Sequence, residues 1–392
     1  MEHNEQISQI KTLMARLDSG TNVDAGGLVR NPTAVYVDPD LAARERAEFF
    51  DDHPQLIGLS GDLPEPGSFL TVDDLGVPIL ATRDAGGRFR AFVNACRHRG
   101  VVLERRVRGR ARRFTCEFHS WVYDGEGTLV GLPKEDHFGD VDRDLHGLVE
   151  LPAEEKHGLL VVHPQVGAAL DVDALLGDEL AAELASWDLG RLGYLGADSY
   201  DVACNWKLAM DTFGETYHFN SLHADTLASV FHGNVQCYDT YGRHHRMLLC
   251  RRDIDLLRHV PESDWDITIA ALPVYWLFPN VQLMPNQAGL YLVRAYPDRD
   301  EPGRHVSRIT FYLWSELAER GDTRGFEQLA QGFAEIIRDE DYRASASQQT
   351  TAASRRIEHV VFGRNEPALH HYHNTYRAAL GMEPLELLDR VG

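Results

Sequence analysis

The sequence predicts an α+β protein in which a small antiparallel β-domain is followed by a larger domain with a curved antiparallel sheet and packed helices. Three observations support this fold class. The chain has 392 residues, of which 43% are hydrophobic, enough for more than one core. Short strands with Gly- and Asp-rich turns fill the region from 51 to 165. Longer apolar strands and amphipathic helices dominate after it.

In the first domain the strands are short and joined by tight turns. Residues 84–87 (DAGG) have the composition of a hairpin turn. The predicted strands are 69–72, 77–82, 89–93, 121–124 and 128–130. We assign residues 1–50 to an N-terminal helix and connecting arm, 51–165 to this domain and 166–392 to the second domain.

In the second domain apolar segments alternate with Pro- and Asn-containing turns, which is typical of an antiparallel sheet. The predicted strands are 274–278, 282–284, 290–296 and 309–314. Helices that begin near residues 208, 324 and 367 are expected to pack on the concave face of this sheet. The sequence contains no internal repeat, low-complexity tract or long linker.

The charge and cysteine content exclude several classes of protein. With 39 Lys and Arg against 60 Asp and Glu, the net charge is −21, which repels nucleic acid and anionic membrane surfaces. The longest nearly uncharged stretch, 267–279, is too short to span a bilayer, and the N-terminal sequence lacks the features of a secretory signal. Five cysteines are too few for a disulfide framework. We therefore expect a cytoplasmic protein.

Four residues of metal-binding type occur in two tight pairs, Cys96 with His98 and, after 17 intervening residues, Cys116 with His119. Two thiolates and two imidazoles would suit tetrahedral zinc. In a Rieske [2Fe-2S] centre two cysteines bind one iron and two histidines bind the other, so each loop offers one residue of each type. The alternation favours the Rieske centre over zinc.

The segments 94–100 (NACRHRG) and 116–121 (CEFHSW), with the histidine motif described next, carry a family resemblance. Over essentially its whole length the chain resembles the catalytic α-subunit of Rieske non-haem iron oxygenases. Glu117 stands where this family often has proline, and Ser120 where it often has glycine. The resemblance implies a helix-grip (START/Bet v1-like) second domain, whose curved sheet and long helix enclose a substrate cavity beside an iron.

Residues 205–223 (NWKLAMDTFGETYHFNSLH) contain a second group of metal-binding side chains. On one continuous helix Asp211, Glu215 and His218 would lie within about 60° of one another. His223 would be about 140° from His218, so both imidazoles reach one metal only if the helix is distorted near 219–222. Two histidines and one carboxylate form the facial triad that binds non-haem Fe(II) and leaves positions open for O2.

The family resemblance assigns roles to these residues. It implies that His218 and His223 are iron ligands, and that Glu215 hydrogen-bonds both an iron-ligating histidine and a Rieske histidine of another subunit. Asp211 is a weaker candidate for a catalytic supporting residue, because an acid near a helix end also explains it.

The third iron ligand is expected from the helix near residue 340. Its apolar periodicity places Asp339 on the outer face and leaves Glu340 and Asp341 as alternatives. The resemblance selects Asp341, because the family has a late Glu-Asp pair followed about two turns on by a glutamine, here Gln348.

Other polar clusters receive weaker interpretations. Residues 97–113 include eight arginines. This stretch is either a docking surface for an acidic electron donor or a solvated surface or subunit contact, and both explanations fit. Structural or surface roles are assigned to five further histidines, and buried thiols to three cysteines. These residues are His244, His245, His370, His371, His373, Cys204, Cys237 and Cys250.

Candidate pocket residues are mostly apolar, although a core role fits each equally well. They are Phe213, Phe219, Leu222, Leu272, Leu283 and Met284. Glutamate at position 215 is similar to family members that act on quaternary amines such as carnitine or choline. Such a substrate would need an aromatic cage, for which Trp206, Tyr217, Tyr275 and Trp276 are available.

We interpret the sequence as the terminal oxygenase component that carries a [2Fe-2S] Rieske cluster and a mononuclear Fe(II). It would hydroxylate a small apolar or aromatic substrate by mono- or dioxygenation, with N- or O-dealkylation or oxidation of a quaternary amine as the alternative. The chain has no Gly-rich dinucleotide motif in a strand–turn–helix setting. We therefore expect electrons from a separate NAD(P)H-dependent reductase, directly or through a ferredoxin.

The subunit assembly and two rival functions stay open at this stage. The resemblance implies a homotrimer, and a small β-subunit is a further candidate partner. A pure electron-transfer Rieske protein would need no facial triad. A zinc-stabilised binding protein would need neither iron centre.

Overall fold

A computed structural model describes residues 1–321 and 323–389, and it divides the chain into two compact units. The smaller unit comprises Ala47–Leu175 and Asp188–Gly193. The larger unit comprises Met1–Arg46, Leu176–Trp187 and the chain from Tyr194 onward. The N-terminal residues up to 46 therefore fold with the C-terminal part of the chain.

The smaller unit is built from antiparallel sheets of short strands. A five-stranded sheet has the spatial order Glu150–Leu151, Phe89–Val93, Ile79–Arg83, Ser68–Val72 and Arg108–Arg110. A three-stranded sheet has the order Ala153–Lys156, Leu159–Val162 and Gln55–Leu59. A second three-stranded sheet has the order Arg113–Thr115, Val122–Asp124 and Leu129–Gly131.

The predicted hairpins of this unit are confirmed. The turn at 84–87 closes with a hydrogen bond from Gly87 N to Asp84 O of 3.0 Å and joins two paired strands. Phe69, Phe92 and Trp121 belong to one buried cluster together with Cys96 and Cys116. The core of the unit thus lies directly beneath the two predicted cluster-binding loops.

The larger unit is organised around a seven-stranded antiparallel sheet. Its spatial order is Leu192–Val202, His305–Trp314, Gly289–Pro297, Val281–Pro285, Ala271–Leu277, His244–Arg251 and Phe231–Tyr241. The four strands predicted after residue 270 are all present, each longer by a few residues. Apart from the first strand, Leu192–Val202, which pairs with His305–Trp314, neighbouring strands in this order are consecutive along the chain. A separate small sheet pairs His359–Phe362, Leu28–Pro32 and Leu387–Leu388.

Eleven α-helices are found among the described residues. They are His3–Ser19, Pro39–Arg46, Val172–Leu176, Asp178–Ala185, Trp206–Asp211, Ile254–Leu257, Ile267–Ala270, Ser315–Ala318, Arg324–Ile336, Tyr342–Ala353 and Pro367–Ala379. A π-helical turn, Ile337–Asp341, joins two of them into one long helical segment. Tyr372 of the last helix packs on the sheet, since its hydroxyl accepts a 2.6 Å hydrogen bond from Gln282 and its ring lies 4.5 Å from Trp276.

The three remaining cysteines are buried thiols, as predicted. Cys237 and Cys250 lie in one apolar cluster with Ile10 and Leu13 of the N-terminal helix. Burial raises the pKa of Cys204 to about 12 and that of Cys237 to about 11. These thiols are therefore protonated at neutral pH. No helix in the described part of the chain combines the length and apolar character needed to cross a membrane.

Candidate metal centres and active site

The two loops that carry the Cys and His pairs have the same backbone hydrogen bonds. In the first loop Gly100 N donates to Cys96 O at 2.8 Å, and in the second Ser120 N donates to Cys116 O at 2.9 Å. Gly100 and Ser120 both have positive φ, 73° and 58°. A left-handed conformation favours glycine, which explains why the family often has glycine where this chain has Ser120. Ser120 adopts this conformation, and the second loop keeps the same backbone hydrogen bond as the first.

The four side chains divide by type. Cys96 and Cys116 are 3% and 2% exposed and interact with each other. His119 is exposed, His98 is partly exposed, and their ring centroids are 4.7 Å apart. Two buried thiols beside two surface imidazoles are the donor set of a Rieske [2Fe-2S] cluster. These residues therefore fit the cluster that the sequence predicts.

Neighbouring side chains support the cluster ligands. Trp121 stacks on His98 with an angle of 10° between the rings. Tyr123 OH accepts a 2.9 Å hydrogen bond from Arg97 N and lies 3.5 Å from Cys96 Sγ. Burial, His119 and Arg99 lower the pKa of His98. A neutral imidazole is the form that binds a metal.

The three predicted iron ligands converge in the larger unit. His218 Nε2 and His223 Nε2 are 3.2 Å apart, and Asp341 Oδ1 lies 3.5 Å from the first and 3.3 Å from the second. One donor atom of each residue lies within 4.8 Å of the others. Two imidazoles and one carboxylate on one side of a site are the donor set of a facial triad. The residues therefore fit a mononuclear iron.

The helix is interrupted, as the distortion predicted between the two histidines requires, but the break begins before His218 and not near 219–222, so Asp211, Glu215 and His218 do not share one helix. The helix starts at its cap Asn205, whose side chain accepts from Lys207 N at 3.0 Å, and it ends at Asp211. A separate 3₁₀ turn, Tyr217–Asn220, carries His218. Gly214 lies between them, and a Cβ there would approach Tyr372 Cε2 to 2.8 Å. Glycine therefore fits this close approach to the last helix, and the break between the helix and the 3₁₀ turn lets the two imidazoles converge.

The π-helical turn Ile337–Asp341 decides between the two carboxylates that periodicity left open. Asp341 faces the Nε2 atoms of both histidines. Glu340 contacts the opposite edge of one imidazole, with Oε2 2.6 Å from His223 Nδ1. Asp339 is exposed and pairs with Arg338. An inserted residue in a helix is a recurrent feature of functional sites, and here it turns two consecutive acids toward one centre.

Glu215 contacts the other imidazole. Its carboxylate accepts from the Nδ1 side of His218 and from the backbone N–H groups of Tyr217 and His218. Burial alone would lower the pKa of His218, but hydrogen bonds to Asp341 and Glu215 outweigh burial and raise it to about 9. This concentration of negative charge suits a divalent cation.

Asp211 lies apart from the three ligands, in a buried polar network. Its carboxylate accepts hydrogen bonds from Tyr36 OH at 2.8 Å and from His373 Nε2 at 2.9 Å. Asn31 Nδ2 lies 3.2 Å from His373 Nδ1 and 3.0 Å from Tyr36 OH. Sequence reasoning missed Tyr36 and treated His373 as structural. The predicted catalytic role of Asp211 stays a prediction.

Two cavities meet at the iron ligands. One cavity is mostly apolar. Four of the predicted pocket residues line it, namely Phe213, Phe219, Leu272 and Met284. It is also lined by residues that the sequence did not suggest, among them Phe231 and Phe333. The other, of about 270 Å³, is lined by the carboxylates of Asp211, Glu215 and Glu366 and by Leu222 and Gln348. His218 and Asp341 line both cavities. Leu283 is fully buried.

The four aromatic residues considered for an ammonium cage do not line either of these cavities. Trp206 and Trp276 are fully buried and pack on Tyr376. Tyr275 bonds Glu183 with its hydroxyl. Tyr217 is 66% exposed. These four residues therefore do not form an aromatic cage at the three predicted iron ligands.

The arginine-rich stretch is partly neutralised within its own unit. Four of its eight arginines form ion pairs: Arg105–Glu117, Arg106–Glu104, Arg108–Asp62 and Arg110–Glu65. Arg97, Arg112 and Arg113 are exposed. Arg99 lies over the ring of Phe118, 5.2 Å from its centroid. The surface beside the cluster histidines is therefore cationic but less so than the sequence suggested.

Comparisons with known proteins agree with this geometry. Residues 53–150 match the model of the Rieske [2Fe-2S] domain, and residues 189–382 match that of the ring hydroxylating alpha subunit (catalytic domain). Over 201 residues the chain is 31% identical to the glycine betaine monooxygenase oxygenase subunit of Chromohalobacter salexigens. Over 189 residues it is 31% identical to biphenyl 2,3-dioxygenase subunit alpha of Rhodococcus jostii.

The matched segments cover 51% and 47% of this chain, and 44% and 41% of those relatives. Among solved structures, a quaternary ammonium Rieske monooxygenase in complex with L-carnitine superposes with a TM-score of 0.76 at 18% identity, covering 92% of this chain and 97% of that one. Naphthalene 1,2-dioxygenase from Rhodococcus sp. bound to indole gives 0.69 at 17% identity, covering 97% and 99%. At these identities the structural likeness shows the fold.

The fold and the two donor sets define a protein built for one iron–sulfur cluster and one non-haem iron. The chain belongs to the Rieske oxygenases, in the family of the ring-hydroxylating alpha subunits. The members of this family are oxidoreductases whose catalytic domain binds a mononuclear iron.

Proposed function

We propose that this protein is the terminal oxygenase component that uses O2 to hydroxylate a small, largely apolar organic substrate. The observation that supports this most directly is the convergence of His218, His223 and Asp341 beside an apolar cavity. A pure electron-transfer protein would have no need of this triad, and a zinc protein would have no need of a separate cluster domain.

Cys96, His98, Cys116 and His119 would hold the [2Fe-2S] cluster, and His218, His223 and Asp341 the iron. When bound, the cluster supplies single electrons and the iron binds and activates O2. The apolar cavity alone measures about 40 Å³, and His218 and Asp341 also line the cavity of about 270 Å³, so the substrate would occupy both, with its apolar part against the phenylalanine and aliphatic side chains. Glu215 holds the proton on Nδ1 of His218 and thereby leaves Nε2 free to bind the metal.

We propose further that Glu215 forms part of the electron path, linking His218 to a cluster histidine of a neighbouring subunit in a homotrimer. The short contact between Glu215 and His218 supports the inner half of this path. Electrons would come from a separate NAD(P)H-dependent reductase, through a ferredoxin or directly. A Glu215→Gln variant is expected to keep both metals but to lose electron transfer between them.

Oxidation of a quaternary amine, with dealkylation as its outcome, is the second candidate function. Glu215 and the similarity to glycine betaine and L-carnitine enzymes favour it. Against it, no Lys or Arg of the described residues lines the apolar cavity, and a betaine-like carboxylate would need a positive partner. We therefore rank hydroxylation of an uncharged substrate first.

The test is a substrate screen with the reconstituted holoenzyme, a generic ferredoxin and a reductase. Uncharged aromatic compounds are compared with betaine, choline and carnitine, and O2 consumption, product mass and aldehyde release are recorded. We expect coupled O2 uptake and an oxygen-bearing product from uncharged rings. Aldehyde release from a quaternary amine would support the second candidate. A holoenzyme with two irons per chain would contradict both, because the proposal requires three.

The homotrimer and the reductase stay predictions that the purified protein can test, and the cytoplasmic location stays a prediction. Salt-dependent reduction of the cluster by an acidic ferredoxin would support docking through the exposed arginines. Reduction that is indifferent to ionic strength would contradict it.

A further inference from the structure

We propose that Glu340 is a positioning residue of the iron site, which fixes the ring orientation and the tautomer of His223. The proposal rests on His223 being an iron ligand, as argued above. Glu340 itself contributes no atom to the triad. Its role would be exercised entirely through the histidine that it contacts.

The contacts around His223 place one carboxylate on each side of the ring. Glu340 Oε2 is 2.6 Å from Nδ1, while Asp341 Oδ1 is 3.3 Å from Nε2. The ring is 1% exposed, so solvent provides no alternative partner for Nδ1. Thus two consecutive acids of one helical segment hold opposite edges of one imidazole.

This arrangement determines which nitrogen faces the metal. A carboxylate accepts hydrogen bonds, so Glu340 retains the proton on Nδ1. Nε2 then keeps its lone pair and points toward Asp341 and the Nε2 of His218. A carboxylate behind a metal-binding histidine both orients the ring and makes its free nitrogen a better donor.

Glu340 is itself held in place. Thr226 Oγ1 donates a 2.9 Å hydrogen bond to the same Oε2 that faces His223. Thr226 N also donates to His223 O at 3.0 Å. The segment from 223 to 226 is therefore closed by its own backbone hydrogen bond and tied to the π-helical turn by the side chains of His223 and Thr226.

The two imidazoles of the site have separate carboxylates, Glu215 for His218 and Glu340 for His223. If Glu215 also carries electrons, as proposed above, only its substitution affects the exchange between the two centres. Substitution of Glu340 is expected to weaken metal binding alone. The two carboxylates thus differ in what their loss changes.

The test measures metal affinity without turnover, so it needs neither substrate nor reductase. The mononuclear site is emptied by a chelator in protein that keeps its Rieske cluster, and Co(II) is titrated against the visible Co(II) absorption. We expect Glu340→Ala to weaken Co(II) binding by about 10- to 100-fold. Glu340→Gln keeps an acceptor but loses its charge, and it should fall between the wild type and the alanine variant.

Three variants serve as controls. Asp339→Asn changes the exposed neighbouring acid and should bind Co(II) as the wild type does. Thr226→Val removes the contact that holds Glu340 and should weaken binding less than Glu340→Ala. His223→Ala should abolish binding at this site. The Rieske spectrum and the unfolding midpoint report whether each variant is folded.

The Nδ1 proton of His223 gives a readout that a merely structural role would not change. By NMR of the Zn(II)-loaded protein, this proton should be shifted downfield by its hydrogen bond to Glu340 in the wild type and should lose that shift in Glu340→Ala. Wild-type Co(II) affinity in Glu340→Ala would overturn the positioning role. Wild-type affinity in His223→Ala would overturn the iron site itself, and the positioning role with it.

Discussion

Asp211 Oδ1 lies 2.9 Å from Nε2 of His373, although 162 positions separate the two residues in the chain. The carboxylate also accepts from Tyr36 OH, and both partners are almost fully buried. The contact joins three parts of the larger unit: the start of the chain, the helix before the iron ligands and the last helix. It therefore fixes the position at which the backbone turns toward His218.

Replacing His373 by Phe should destabilise the larger unit. The ring volume is retained, but Asp211 loses one of its two side-chain donors inside the protein, which costs about 2 kcal/mol in the free energy of unfolding. Denaturant unfolding followed by tryptophan fluorescence measures the change. His371→Phe is the matched control, because a phenyl ring can keep the ring contacts of His371 with His245 and Trp276, and its hydrogen bonds go to backbone carbonyls and not to a buried carboxylate. Equal effects of the two substitutions would contradict the importance of the Asp211 contact.

Removal of any one of the three triad residues should empty the iron site and leave the cluster intact. The two donor sets belong to different compact units. In His218→Ala, His223→Ala and Asp341→Ala, iron analysis should give two irons per chain in place of three. The visible spectrum of the Rieske cluster should be unchanged. Loss of the cluster spectrum together with the third iron would argue against two independent sites.

The sequence predicts the local parts of this architecture because their signals are local. The cluster loops follow from the spacing of Cys96, His98, Cys116 and His119, and the hairpins follow from turn composition. The sheet of the larger unit is visible as alternating apolar segments. Asp341 was chosen by family resemblance, since periodicity could not separate it from Glu340.

The remaining features depend on contacts between distant residues. The helix before His218 ends at Asp211, and Gly214 beyond its end packs closely against Tyr372, a contact that nothing in the local pattern reveals. The π-helical turn, which lets Glu340 and Asp341 act on one ring, also departs from regular periodicity. Tyr36 and His373 carry no motif at all. The available signal for His373 was its polar character in the otherwise apolar stripe of the last helix.

Tyr123→Phe should lower the reduction potential of the cluster. Tyr123 OH accepts from Arg97 N, so its own hydrogen is available to Cys96 Sγ, 3.5 Å away. A hydrogen bond to a ligand sulfur stabilises the reduced cluster, which carries more negative charge. Loss of a bond of about 1 kcal/mol corresponds to about 40 mV for one electron. A spectroelectrochemical titration measures the shift, and an unchanged potential would contradict the contact.

The carboxyl of Glu366 is expected to titrate near neutral pH. It lines the cavity that His218 and Asp341 also line. Burial, and then the nearby carboxylates Glu215 and Asp211, raise its pKa from 4.5 to about 6, although a hydrogen bond from Gly363 N acts in the opposite direction. Compared with the unfolded chain, the folded protein thus favours the protonated form of Glu366.

The sign of the stability effect follows from this shift. The folded protein binds the proton more tightly than the unfolded chain, so Glu366 contributes stability at low pH that is lost as the pH rises through about 6. Relative to Glu366→Gln, the wild type should lose roughly 1–2 kcal/mol of unfolding free energy between pH 5 and 7.5. Unfolding in denaturant at each pH measures the difference. Glu358→Gln, which replaces an exposed glutamate, is the control. Its unfolding free energy should follow that of the wild type. A constant difference between wild type and Glu366→Gln across this range would show that Glu366 is ionised throughout, as an exposed glutamate is.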